Sequence, residues 1–277
     1  MYRSAAMPKA LSEDQIAHYR REGFVTPVTV MPPADAQAVL DAAGAWEKQS
    51  GKRAKEHLRG KPHLLLTALA RLIRTPKLLD AVEDLIGPDI VCLETGFLWK
   101  DARDPGFVAW HQDSSYMKFD PPLALNAWIA LTDSKLDNGA MQFIKNSHTL
   151  GDVPYELIPT ENHMLKFSRQ VVGLDTGDSR RVTAALEPGQ ISIHNANVVH
   201  GSAPNNSDRP RIGFGCLFAP PTVKNQKGGF MSATLVRGRD TAGNFDLEPE
   251  PTRDYDPPAV AAYEKVMNAS MKLYKVE

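Results

Sequence analysis

From residue 89 onward the chain breaks into short β-prone runs: Ile90-Val91-Cys92-Leu93, Phe107-Val108-Ala109-Trp110, Leu125 to Leu131, Met141 to Ile144, Gln190 to His194 and Arg211 to Phe218. Turn residues separate them, and no run is long enough to bury itself alone. Many short strands behind a helical block predict a mainly β protein with flanking helices, its sheets packed as a sandwich or jelly roll. The helical block occupies residues 1–88. Ser12-Glu13-Asp14-Gln15 reads as a capping box, and Pro33 stands where a second helix would begin. Leu64 to Ile73 and Leu78 to Ile86 read as two more helices, closed by Gly87-Pro88. A single domain of 1–277 is expected: helical support over 1–88, jelly-roll core over 89–220, and an extension over 221–277 carrying a helix from Pro257 to Tyr274. Asp152 to Asp178 is polar and irregular, too long for a plain connection, and reads as a binding loop or lid.

Composition narrows the function classes. The 277 residues carry a net charge of −1, with 42% hydrophobic and 23% charged residues. That balance argues against nucleic acid or an anionic membrane as partner. No apolar run reaches the ~18 residues needed to cross a bilayer. The first residues lack the apolar stretch of a secretory signal, and Cys92 and Cys216 sit in apolar runs that suit a reducing compartment, so a cytoplasmic protein is expected.

Chemistry is carried by two short motifs set far apart. Trp110-His111-Gln112-Asp113 and His200-Gly201-Ser202 together offer two imidazoles and one carboxylate. That is the donor set of a mononuclear non-haem Fe(II) site, which leaves coordination positions for a co-substrate and dioxygen. If Phe107 to Asp113 is one continuous strand, His111 and Asp113 emerge on the same face. Arg211, eleven residues past His200, adds a planar fork suited to a carboxylate. His194 competes with His200 as distal ligand, and His200 is preferred because Gly201-Ser202 and the arginines follow it. His194 then reads as a supporting or core residue, and His148 as a loop hydrogen-bonder. A His-x-Asp by itself is also met at strand ends that merely cap turns.

The chain resembles the phytanoyl-CoA dioxygenase family of Fe(II)- and 2-oxoglutarate-dependent oxygenases. The resemblance spans about residues 10 to 250. It is carried by residues 110–116 (Trp-His-Gln-Asp-Ser-Ser-Tyr), 127–131 (Ala-Trp-Ile-Ala-Leu), 138–144 (Asn-Gly-Ala-Met-Gln-Phe-Ile), Pro188-Gly189-Gln190 and the stretch from His200 to Arg211. It implies a double-stranded β-helix (jelly roll, cupin-like) with the metal at one mouth. Carried over, His111, Asp113 and His200 would bind Fe(II), and Arg211 with Ser202 would hold the far carboxylate of 2-oxoglutarate. Arg209 competes with Arg211 for that role. Trp128 and Asn126, two apart on one face, match positions lining the co-substrate pocket, and Gln112 points to the opposite face as a structural residue. The family's usual Pro-Gly-Ser-His is replaced by Lys145-Asn146-Ser147-His148, which leaves the geometry of that turn open. Asp113 sets the chain apart from halogenating relatives, which carry a small residue at that position.

The resemblance implies hydroxylation of an unactivated C–H, with dioxygen consumed and succinate and carbon dioxide released. Lys100, Arg103, Lys118, Lys166 and Arg169 flank the motifs and, with Tyr116, suit a small polar or anionic substrate. The stretch Ala233 to Gly238 with Asp240 and Phe245 resembles a bacterial branch acting on small metabolites. 2-Aminoethylphosphonate is the sharpest candidate. Two alternatives stand beside it: an oxygenase tailoring a larger natural product, and a non-catalytic jelly-roll binding protein.

Overall fold

The computed structural model describes residues 7–165, 169–228 and 230–273. Eight strands form its centre, in chain order Ile90–Lys100, Val108–His111, Leu125–Ala130, Met141–Ile144, Arg181–Thr183, Gln190–Asn195, His200–Ser202 and Arg211–Ala219. The sixth, third, eighth and first lie side by side in one sheet. The second, seventh, fourth and fifth make a smaller sheet opposite. All these neighbours are antiparallel. The chain therefore passes back and forth between two sheets, which is the winding of a jelly roll. Strands Phe24–Thr29 and Ser232–Arg237 extend the larger sheet on either side, so the segment after residue 220 contributes to it as well.

The central strand Arg211–Ala219 is buried along its whole length, which explains an apolar run without alternation. On its outer face the helices Thr67–Leu72 and Pro76–Ile86 press Leu69, Leu78, Leu79 and Val82 into one cluster with Ile129, Ile191 and Phe214. On its inner face a separate cluster of Phe24, Trp128, Met141, Phe143, Leu186 and Val198 fills the space between the sheets. The functional residues stand at the edge of this inner layer.

Local reading and structure part at two places. The Ser12–Gln15 capping box forms as expected. The predicted helix from Leu64 to Ile73 divides into a short 3-10 turn, Pro62–Leu64, and a helix, Thr67–Leu72, because Leu66 is extended. Asp254 bonds Thr67 N and Oγ1 at 2.8 Å, a cap supplied from a distant segment. The strand predicted through Asp113 ends at His111, and Asp113 opens a 3-10 turn. The altered turn at residue 145 closes because Asn146 takes the left-handed conformation that the family's glycine would occupy. The C-terminal helix runs Pro257–Leu273; Tyr274 lies outside the described residues, as does Lys166.

A second polar cluster ties the extension to the core. Lys61 Nζ donates to Glu248 and to Ser232 O at 2.8 Å, Thr234 Oγ1 donates to Glu248 at 2.5 Å, and His63 lies between Thr95 and Thr234. Burial alone would raise the Glu248 carboxyl, but His63, Lys61 and Ser232 outweigh it and hold it down at about 2. A folded value below the unfolded one stabilises above the unfolded pKa, and the gain is lost as pH falls toward the folded value. Glu248 is thus expected to contribute about 3 kcal/mol at neutral pH that disappears between about pH 4.5 and 2. Glu248→Gln should lower the melting temperature at pH 7 and flatten its acid limb. An unchanged acid limb would refute this assignment.

Candidate metal centre

His111 ends the second strand and His200 begins the seventh, and the two are directly paired across the smaller sheet. Cross-strand partners hold their side chains about 5 Å apart on one face, so both imidazoles project together. Asp113 reaches the same point from the turn that follows. Gln112 sets that turn: its amide donates to Gly151 O at 2.9 Å and Asn197 O at 2.7 Å and accepts from Val153 N at 2.9 Å. This is the structural role its outward position predicts.

The donor atoms of His111, Asp113 and His200 lie within 4.8 Å of one another. Asp113 Oδ1 is 3.4 Å from His111 Nε2 and 3.7 Å from His200 Nε2. Each imidazole donates its Nδ1–H to a backbone carbonyl, His111 to Ala109 at 2.9 Å and His200 to Val198 at 3.0 Å. Those bonds fix the tautomer and leave both Nε2 lone pairs facing Oδ1. The other carboxylate oxygen is occupied: Asn126 Nδ2 donates to Oδ2 at 3.2 Å, and His194 Nε2 is 3.5 Å away. Burial would raise the Asp113 carboxyl, yet the imidazoles of His200, His111 and His194 hold it well below the usual range. Burial, then the neighbouring His111 and His194, push His200 well below its ordinary value. A carboxylate oxygen and two imidazole Nε2 atoms converging on one point fit a divalent transition-metal ion. His194 is buried, as expected, with its ring against those of His200 and Phe143.

Near this point stands a group of buried polar side chains around Arg211. Arg211 is 2% exposed, and its Nη1 donates to Gly139 O at 2.8 Å. Its guanidinium lies 4.9 Å from the centre of the Trp128 ring. Gly213 makes room for that indole, since a Cβ there would collide with the ring. Arg211 Nε and Trp128 Nε1 are both buried without a hydrogen-bond partner. Among the described residues no carboxylate pairs with Arg211, and burial pushes it down to about 10. A buried guanidinium with spare donors and no acid fits an incoming carboxylate. Arg209, the competing candidate, is exposed and bound to Asp137 at 2.8 Å.

The other candidates divide between the pocket and the rim. Lys100 is buried beside Arg211 and Ser202 rather than at the mouth. Arg103 is turned outward onto Asp208 and Asn206 O. Tyr116 stands near the metal point, its ring 6.0 Å from that of His111 and its buried hydroxyl unpartnered. Arg169 lies between Tyr116 and Tyr155, at 4.6 and 4.7 Å from their ring centres. Lys227, which the sequence did not single out, donates with Arg169 to the same carbonyl, Ser115 O. No local pattern marks Lys227; only the return of its loop to Ser115 does. Lys118 is exposed and paired with Asp152. His148 bonds Arg20 O at 3.2 Å, as a loop residue.

A two-histidine, one-carboxylate centre between the sheets of a jelly roll, with a buried arginine alongside, defines a non-haem Fe(II)- and 2-oxoglutarate-dependent oxygenase. The comparisons with known proteins agree. The family model for phytanoyl-CoA dioxygenase matches residues 19–213. The chain belongs to that family. A probable alpha-ketoglutarate-dependent hypophosphite dioxygenase of Stutzerimonas stutzeri is 27% identical over 203 residues, 71% of this chain and 70% of that one. An ectoine dioxygenase of Bordetella bronchiseptica is 23% identical over 238 residues, 76% of each chain. Among solved structures, the non-heme monooxygenase ThoJ superposes with a TM-score of 0.82 at 29% identity, covering 94% of this chain and 96% of its own. CytC3 with Fe(II) and alpha-ketoglutarate shares the fold, with a TM-score of 0.65 at 21% identity over 89% and 96% of the two chains.

Proposed function

We propose that this oxygenase hydroxylates an unactivated C–H of a small anionic metabolite, with 2-aminoethylphosphonate as the first compound to test. The carrying observation is that Arg169 and Lys227 both reach Ser115 O, beside Tyr116 and the metal point. Two basic side chains gathered on this side of the site suit an anionic substrate. The hypophosphite dioxygenase, named for a phosphorus oxyanion, is a relative consistent with that chemistry.

In this reading His111, Asp113 and His200 hold the iron. Bound there, Fe(II) with 2-oxoglutarate and dioxygen supplies the oxidising power, and the co-substrate leaves as succinate and carbon dioxide. The chain's own residues do the orienting. Arg211 pairs with the far carboxylate of 2-oxoglutarate, and Ser202 and the Trp128 indole N–H are at hand as further donors. Asn126 and His194 keep Asp113 turned so that Oδ1 faces the two imidazoles. Phe143, whose ring centre is 5.2 Å from His194 and 6.4 Å from His200, keeps water from the back of the site. Tyr116 and Arg169 face the side from which substrate would arrive.

Substrate screening tests the proposal. Under anaerobic conditions, protein with Fe(II) and 2-oxoglutarate should show a visible charge-transfer band that shifts on addition of 2-aminoethylphosphonate. Succinate formation in air should rise with the same compound. Arg169→Met should weaken that response while leaving the band itself in place. A response to bulky polycyclic compounds and none to small anions would favour the natural-product reading instead.

A further inference from the structure

Lys100 is a second buried basic side chain beside Arg211, and nothing in the metal centre uses it. The two residues are directly paired between the first and eighth strands, so both side chains enter the same layer. Lys100 is fully buried. Its Nζ donates to Ser202 Oγ at 2.8 Å, to Ala203 O, and more distantly to Ser202 O at 3.4 Å. The groups meet at Gly139: its carbonyl accepts from Arg211, and a Cβ there would stand 3.0 Å from Lys100 Nζ and collide with Ala203 O. With a φ of +79°, Gly139 is the residue type that this close approach requires.

The acids nearest Lys100 in the chain are committed elsewhere. Asp101 and Asp104 both accept from Lys55, and Asp104 also bonds Asp101 N and Gly106 N. Among the described residues no carboxylate forms an ion pair with Lys100 or Arg211. A charged Lys100 beside Arg211 is costly until an anion completes the pair.

We propose that Lys100 is a positioning residue for the co-substrate, turning the Ser202 hydroxyl into the pocket as a donor and adding a second positive charge for the distal carboxylate. A serine oxygen that accepts from Lys100 has its own hydrogen left to give, and the carboxylate beside Arg211 is the acceptor it would find. This rests on reading the Arg211 pocket as the 2-oxoglutarate site. Burial first, then the Arg211 charge, push the Lys100 ammonium down to about 6, with Asp104 acting weakly the other way. Above pH 6 the empty pocket therefore holds a neutral amine, and an arriving carboxylate raises its pKa. Co-substrate binding should take up a proton and weaken as pH rises, by at most about tenfold per pH unit.

Calorimetry on the anaerobic Fe(II)-loaded protein at pH 7.5, in buffers of different ionisation enthalpy, reads this directly. The wild type should take up close to one proton with 2-oxoglutarate and none with 2-oxobutyrate, which has the same keto-acid end but no distal carboxylate. Lys100→Met should lose the uptake, bind 2-oxoglutarate about tenfold more weakly and leave 2-oxobutyrate unchanged. Lys100→Arg, charged at every pH used, should restore affinity without proton uptake. Lys100→Gln serves if the methionine variant misfolds, and Fe(II) titration checks that each variant holds its metal. Tight 2-oxoglutarate binding with wild-type affinity and uptake in Lys100→Met would overturn the inference alone. Failure of the wild type to bind 2-oxoglutarate would overturn the pocket assignment as well.

Discussion

Asp113→Ala is expected to abolish Fe(II) binding and turnover together while leaving a folded protein. Asp113 Oδ1 is the anionic donor that faces His111 Nε2 and His200 Nε2. Without it, three imidazoles crowd one buried point, with the His111–His200 and His194–His200 ring centres 4.2 and 4.3 Å apart. A divalent ion entering there would meet imidazole nitrogens and no carboxylate. Losing the charge removes the attraction that offsets the ion's desolvation. Anaerobic titration should show one Fe(II) per chain in the wild type and none in the variant, with circular dichroism unchanged. The 2-oxoglutarate charge-transfer band should vanish with the iron. A variant that still held stoichiometric Fe(II) and the band would remove Asp113 from the ligand set.

Arg211→Met should separate binding from stability. Two charge-assisted bonds from the guanidinium to a carboxylate contribute about 3 kcal/mol in all, so 2-oxoglutarate affinity should fall roughly a hundredfold. Binding of 2-oxobutyrate, which lacks the distal carboxylate, should scarcely change. The apoprotein should melt no lower than the wild type, because its guanidinium is buried with Nε unpartnered and, among the described residues, no acid paired with it. Methionine fills much of the same volume against Trp128 without that desolvation cost. A large loss of apoprotein stability would mean that Arg211 serves the fold, and unchanged 2-oxoglutarate affinity would place the carboxylate elsewhere.

Much of this was legible before any coordinates. The mainly β core and helical block followed from run length and punctuation, because short apolar runs between turn residues admit few packings. His111, Asp113 and His200 were named from residue chemistry, and the structure brings their donor atoms within 4.8 Å of one another. Arg211 was named from its distance past the second histidine. Alternation alone allowed Arg209 as well; the larger sheet buries Arg211 and leaves Arg209 exposed on Asp137.

What the sequence by itself determined was the set of chemical groups and the order in which the strands carry them. Donor identity and strand-forming tendency are local properties, written in each residue and its near neighbours. Only the tertiary structure decided which groups meet. It ended the strand at His111 and let a turn deliver Asp113, and it set Asn126 and His194 on the carboxylate's second oxygen. It set Lys100, read as a substrate candidate flanking the motifs, beside Arg211 and brought Lys227 onto Ser115. Each of these contacts joins strands or loops far apart in the chain, where cross-strand register and loop return, rather than local spacing, fix the distance.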